Sequence, residues 1–520
     1  MSVSKDPRKS NSPKPEVSSA AIQRRLKNLT RRLNQMTTQC NELKHQLKAS
    51  EKRLERAEQR LQLAQIELLE QNSHDKRDNA PLFGVERPIP GHHFSTKLIA
   101  ISIELGKRVG FRAAADVLRI MFKALGISQK APSHDAIEQW TLRFGVSSLQ
   151  NTFTPEQRVL WMADHSSQIG SERVLLIIGI ALDDLPSIGD TLDFENIKVL
   201  AVVPGDNWKT EDVAREYAKL AKKIGSPVYL LCDGACELRD AAETLEKDGK
   251  KTIVLGDLKH YAANLLEKEI GKSERFQSFI TQVGLTRSRI QQTELSHFSP
   301  PTQRQKSRFM NLGPMLQWAT MVLYHLAHPE SPSQKGVEPQ RMEAKLGWLR
   351  EYVDDVAQWG QCQEVINRSL AVINRRGPDS GTAEEVDEAL REANPDWRSE
   401  ETAASRIGCR IIDWIRESAS KLHAGDRAWI STEILESLFG RFKQLERQHS
   451  KGGFTRLIGA IPALCKTVTA SMVRECFSRL NSKELRQWIA DQLGTTLTAR
   501  RKAAYHESRK KTPSQIPSLA

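Results

Sequence analysis

Two apolar runs in the chain end in an aspartate, Trp161-Met162-Ala163-Asp164 and Leu230-Leu231-Cys232-Asp233. A third acid, Glu436, lies in the amphipathic stretch WISTEILESLFGRFKQLERQH. A carboxylate at the end of a buried strand is costly unless it is paired or binds a cation. In open α/β sheets that edge is also where ligands collect. Three such acids make an all-oxygen donor set, the kind that hard divalent cations take. Taken singly, each aspartate reads equally well as a turn residue opening Asp-His-Ser-Ser or Asp-Gly-Ala. Glu436 and Lys443 taken alone read as a solvated charge pair on a surface helix. If Ser431 or Thr432 caps that helix, Glu433 falls in its first turn, where an acid complements the helix dipole. Glu436 lies deeper and Lys443, seven residues on, returns to its face within roughly 20°. Glu433 stays the alternative third acid.

The elements that must carry these acids follow from periodicity. RVLWMADHSS, ERVLLIIGIAL and NIKVLAVVPG predict three neighbouring strands. A helix (TEDVAREYAKLAKKIG), a strand (PVYLLCDGA), a second helix (CELRDAAETLEKDG) and a strand (KTIVLGDLKH) come next. That order describes a mixed α/β sheet over 157–263. Residues 264–428 read as an all-α insertion, and 429–495 as the return to the α/β domain. Within the insertion Trp318, Trp348, Trp359, Trp397 and Trp414 recur in helical contexts, most of them as core.

Ahead of the sheet, 94–147 predicts three helices, over 95–108, 111–125 and 133–144, the last capped by Ser133. They suit a helix-turn-helix that presents His134, Asp135, Gln139 and Arg143 to a major groove. A small helical packing domain is the plain alternative, and Trp140 and Leu142 are expected in its core. Residues 18–72 carry apolar positions in four-three alternation from Ile22 to Leu68, a coiled-coil seam open to parallel or antiparallel pairing. Residues 1–17 form a basic tail expected to be disordered, and 496–520 a second basic tail.

The net charge is +13, and more than half of that excess falls in residues 1–80. A basic balance favours nucleic acid over membrane as partner. The longest apolar run, Val174 to Leu182, is far below the roughly 20 residues that cross a bilayer. The polar N-terminus does not resemble a signal peptide. A cytoplasmic location is expected, nucleoid-associated in a prokaryote. The seven cysteines are scattered and read as reduced thiols rather than a zinc or disulfide framework.

A strand with Asp164, a three-strand meander, a strand with Asp233 and a helix with Glu436 and Lys443 together resemble the DDE transposase family, insertion-sequence type, on a ribonuclease-H-like fold. Asp257-Leu258-Lys259-His260 is similar to the C/D-x-x-H signature of mutator-like and hAT-like transposases. The long helical segment is similar to their insertion domain. The resemblance covers residues 94–475. It implies a catalytic triad of Asp164, Asp233 and Glu436 holding two Mg²⁺ or Mn²⁺ ions about 4 Å apart. It further implies DNA strand cleavage and transfer without a covalent protein intermediate, and contact of Lys443 with transposon-end DNA. The partners implied are the element's ends, the target DNA, and further copies of the chain joined through the coiled coil. Asp257 and His260 take a structural or DNA-positioning role, and His165 a structural role or a DNA contact. The competing readings are a non-catalytic DNA-binding or architectural protein derived from a transposase, and a coiled-coil scaffold.

Overall fold

A computed structural model describes residues 92–508, apart from 151–152, 167–172, 206, 248, 303–308, 310–311, 330–337, 400, 449–455 and 494–502. The chain divides into two units, Met1–Val85 and Glu86–Ala520, and the described residues belong to the second. The expected coiled coil of 18–72 and the tail of 1–17 lie outside the described residues, as does most of 496–520.

A five-stranded mixed sheet organises this unit. Its strands are β1 (Val159–His165), β2 (Arg173–Ala181), β3 (Lys198–Gly205), β4 (Tyr229–Cys232) and β5 (Ile253–Gly256), in the order β3-β2-β1-β4-β5. β2 runs antiparallel to both β1 and β3, whereas β4 is parallel to both β1 and β5. The reason lies in the connections. A short link joins β1 to β2, while a helix (Thr210–Ile224) separates β3 from β4 and a shorter one (Cys236–Ala241) follows β4.

Side chains alternate across the strands. Val159, Trp161 and Ala163 point into one core, with Leu175, Ile177, Tyr217, Leu220 and Leu238. Leu160, Met162, Leu176, Ile178 and Ile180 are also fully buried. Both faces of the sheet are therefore covered, which explains why these strands read as continuous apolar runs.

The helical trio of 94–147 is present as α1 (Thr96–Val109), α2 (Phe111–Ala124) and α3 (His134–Ser148). Ser133 Oγ accepts from Ala136 N at 3.2 Å, the cap foreseen. Burial along α3 is uneven. Ile137 and every residue from Trp140 to Ser147 are buried. α3 packs against the 3₁₀ segment Arg456–Cys465 so closely that a Cβ on Gly145 would sit 2.1 Å from the Gly459 carbonyl oxygen. The half of α3 from Trp140 on therefore has no free face to lay in a groove, whereas His134 and Asp135 in its first turn are exposed, and the trio is built into the unit together with 456–493.

The insertion is helical throughout its described parts. Its long helix α4 (Val353–Arg376) packs on α5 (Thr382–Ala393), α6 (Ala403–Ser420) and the helix Leu312–Ala327. Trp318, Trp359 and Trp397 are core residues, as expected; Trp348 and Trp414 are half-buried. The chain then returns through buried Ala428, Trp429 and Ile430 to α7 (Glu433–Arg447). No helix among the described residues is long and apolar enough to cross a membrane.

Candidate active site

Strand register assembles the site. Ala163 pairs with Cys232, and Cys232 with Gly256. Asp164, Asp233 and Asp257 are therefore the next residues along three adjacent parallel strands. Asp164 shares its side of the sheet with Leu160 and Met162. Its Oδ1 accepts from the His165 backbone N–H at 2.6 Å. Burial, and then the charge of Asp233, push the Asp164 carboxyl up to about 7; Glu436 adds a smaller push in the same direction. Asp233 closes a turn by accepting from Ala235 N at 2.9 Å. Gly234 makes that turn with φ +92°, and an added Cβ there would meet nothing within 4 Å.

α7 contributes the third acid. Its buried face is Ile434, Leu435, Leu438, Phe439, Phe442 and Leu445. Glu433, Glu436, Gly440, Lys443 and Arg447 form the less buried side. The two candidate acids differ in their partners. Glu433 Oε2 accepts from Asn374 Nδ2 of α4 at 2.7 Å. Glu436 Oε2 accepts from Lys259 Nζ at 2.9 Å, with Glu433 Oε1 at 3.5 Å from the same nitrogen. Glu436 is the one of the two whose charge acts on Asp164.

Asp257 is 2% exposed. It caps the helix Leu258–Leu266, accepting from His260 N at 2.7 Å, and the same oxygen lies 3.1 Å from His260 Nδ1. Its other oxygen accepts from Thr432 N at 2.6 Å and Thr432 Oγ1 at 2.7 Å. Burial opposes the Asp257 charge, but these bonds outweigh it and hold the carboxyl below its usual range. For His260 burial is likewise outweighed, by Asp257 first and then by the charges of Asp233 and Asp164, so the imidazole is pushed up.

The remaining expected contacts separate. His134 is exposed in the first turn of α3, with Nε2 3.6 Å from Asp135 Oδ1, and Gln139 is half-buried. Arg143 needs correction as a DNA contact. Its side chain is buried, donating from Nη2 to the Phe477 carbonyl at 2.6 Å and from Nε to the Leu480 carbonyl. It also lies over the Phe477 ring at 4.2 Å. His165 points away from Asp164, stacked on Trp208 at 5.6 Å between centroids.

Among the described residues no three His, Cys, Asp or Glu side chains stand together as a ready-made ion site. The chemistry of the donors nonetheless fits a hard divalent cation. Asp164 is pushed up first by burial and then by the charge of Asp233, with a smaller push from Glu436, so a cation placed there would relieve clustered negative charge. Lys259, Asn374 and Thr432 went unnoticed as site residues in the sequence. Lys259 carried a signal by lying inside the Asp257–His260 motif, and Thr432 one as a candidate cap of the Glu436 helix, whereas Asn374 carried none.

No protein-family model matches the chain, and no curated protein matches it. Among solved structures it is similar to the Drosophila P element transposase strand transfer complex, with a TM-score of 0.37 and 11% identity. The match covers 81% of this chain and 100% of that one.

Proposed function

We propose that this chain is a DDE-type DNA transposase, which binds the ends of a mobile element and catalyses metal-dependent strand cleavage and strand transfer. The observation that carries the reading is the register that makes Asp164 and Asp233 neighbours, with the charge of Glu436 acting on Asp164. The sheet order β3-β2-β1-β4-β5, three antiparallel strands followed by two parallel ones, is consistent with the ribonuclease-H-like fold that the resemblance implies.

Asp164, Asp233 and Glu436 would hold two Mg²⁺ or Mn²⁺ ions. When bound, such ions lower the pKa of an attacking water or 3′-hydroxyl and stabilise the leaving oxygen. The residues of this chain supply position and charge. Asp233 is held in its turn by Ala235 N. Lys443, on the same side of α7 as Glu436, offers a cation to a phosphate. Joining two element ends requires two sites, and the heptad seam of residues 22–68 would bring two copies together.

A second reading, a non-catalytic DNA-binding protein derived from a transposase, is favoured by the Lys259–Glu436 ion pair, which neutralises one of the three acids. The test is cleavage of DNA carrying the inverted repeats that flank the gene, in Mg²⁺ or Mn²⁺, by the wild type, Asp164→Asn, Asp233→Asn and Glu436→Gln. Cleavage by the wild type alone, with end binding kept by all four, supports the transposase. Binding without cleavage by any of them supports the second reading.

A further inference from the structure

The turn Asp257-Leu258-Lys259-His260 lies where the chain leaves the sheet for the helical insertion, and Thr432 lies where it comes back. The two are 175 residues apart in sequence. Both oxygens of buried Asp257 are taken up, one by His260 and one by Thr432. Beside them Leu258 N donates to the Ile430 carbonyl at 2.9 Å. Charge-assisted bonds of this length are strong, and an unpaired buried carboxylate is severely destabilising, so the joint forms as a unit. The same helical turn reaches the acids themselves. Lys259 holds Glu436 at 2.9 Å, and the charges of Asp164 and Asp233 act on His260.

We propose that Asp257 and Thr432 form a latch that closes the base of the helical insertion and positions Glu436 against Asp164 and Asp233. Asp257 and Thr432 are positioning residues, acting through the backbone at the start of α7. Glu436 is one helical turn beyond Thr432, so freedom at the cap becomes freedom of the third acid. Beside the latch, the end of α4 is tied to the start of α7, where Asn374 Nδ2 donates to Glu433 Oε2 at 2.7 Å. The inference rests on the function proposed above for its link to metal binding, but not for the latch itself.

Two measurements on the full chain separate these claims. The first is amide hydrogen exchange of the metal-free protein. Thr432→Val, which keeps size but removes the Oγ1 donor, and Asp257→Asn are expected to speed exchange at least about tenfold over 430–436, leaving the sheet core unchanged. Thr432→Ser is expected to restore protection. The second is Mn²⁺ titration followed by the electron paramagnetic resonance of the ion. Thr432→Val is expected to weaken binding by about 10- to 100-fold, as loss of an outer-shell support does, with Thr432→Ser close to wild type. Unchanged exchange in folded Thr432→Val and Asp257→Asn overturns the latch. Faster exchange with wild-type Mn²⁺ affinity overturns the positioning role. A wild type that binds no Mn²⁺, or binds it equally as Asp164→Asn, overturns the metal-dependent function and leaves the latch to stand or fall on exchange.

Discussion

Lys259 Nζ lies 2.9 Å from Glu436 Oε2, so the acid proposed to bind a metal is held by an ammonium group. Burial disfavours that charge, but the Glu436 hydrogen bond and its negative charge more than offset this and push the lysine up. A divalent ion has to compete with this tethered cation for the same oxygen.

Replacing Lys259 by Met should therefore tighten Mn²⁺ binding, by about two- to fivefold for a partly exposed ion pair. Calorimetric titration of both proteins checks this. Equal affinities would mean that the pair is a surface contact and does not occupy the ion's place.

Glu433 and Glu436 are separable by substitution. Glu436→Gln should bring cleavage to background, whereas Glu433→Gln, which loses a charge already bonded to Asn374, should keep most of it. The reverse pattern would transfer the third acid to Glu433. Strand cleavage on end-labelled DNA reads both.

The raised carboxyl of Asp164 has a consequence for stability in the absence of metal. Its value of about 7 in the folded protein exceeds the roughly 3.9 of an unfolded aspartate. Between those two values the native state holds a proton that the unfolded chain has lost. Its contribution to stability is thus fully present below about pH 4 and is lost as pH rises towards 7, by up to about 1.4 kcal/mol per unit. Asp164→Asn should be more stable than the wild type at pH 8, and the difference should shrink as pH falls to 5. Urea melts in chelator at several pH values test the sign.

Arg143→Ala should lower stability by about 2 to 4 kcal/mol, since it removes bonds from a charged donor and leaves the Phe477 and Leu480 carbonyls buried. DNA affinity of the folded fraction should not change. A protein of wild-type thermal stability that binds DNA more weakly would return Arg143 to the interface.

Lys443→Ala should weaken DNA binding and reduce the slope of log affinity against log salt by about one, the signature of one lost phosphate contact. An unchanged slope would make it a solvated charge on α7.

Local pattern was enough for the strands, the helices and the acids at the strand ends. Short continuous apolar runs rich in Val, Ile and Leu and bounded by turn residues suit strands buried on both faces, and Ser133 marks a helix start by its own cap chemistry. Period and spacing also placed Lys443 on the side of Glu436, because 3.6 residues per turn is a property of the backbone alone. What local pattern could not supply was the identity of each polar side chain's partner. Arg143 and Gln139 sit on one helix at ordinary surface spacing. Arg143 is buried because Phe477 and Leu480, more than 300 residues later, close over it. Glu433 and Glu436 are both acids near one helix start, and they part only because Asn374 reaches one and the field at Asp164 includes the other. Asp257 shows the same division. Its place as the cap of its own helix is a local matter, while its second oxygen waits for Thr432, brought in from the far end of a helical insertion. Hydrophobic periodicity is written into neighbouring residues, but the pairing of buried charges depends on which distant segments share one low-dielectric space, and only the folded chain decides that.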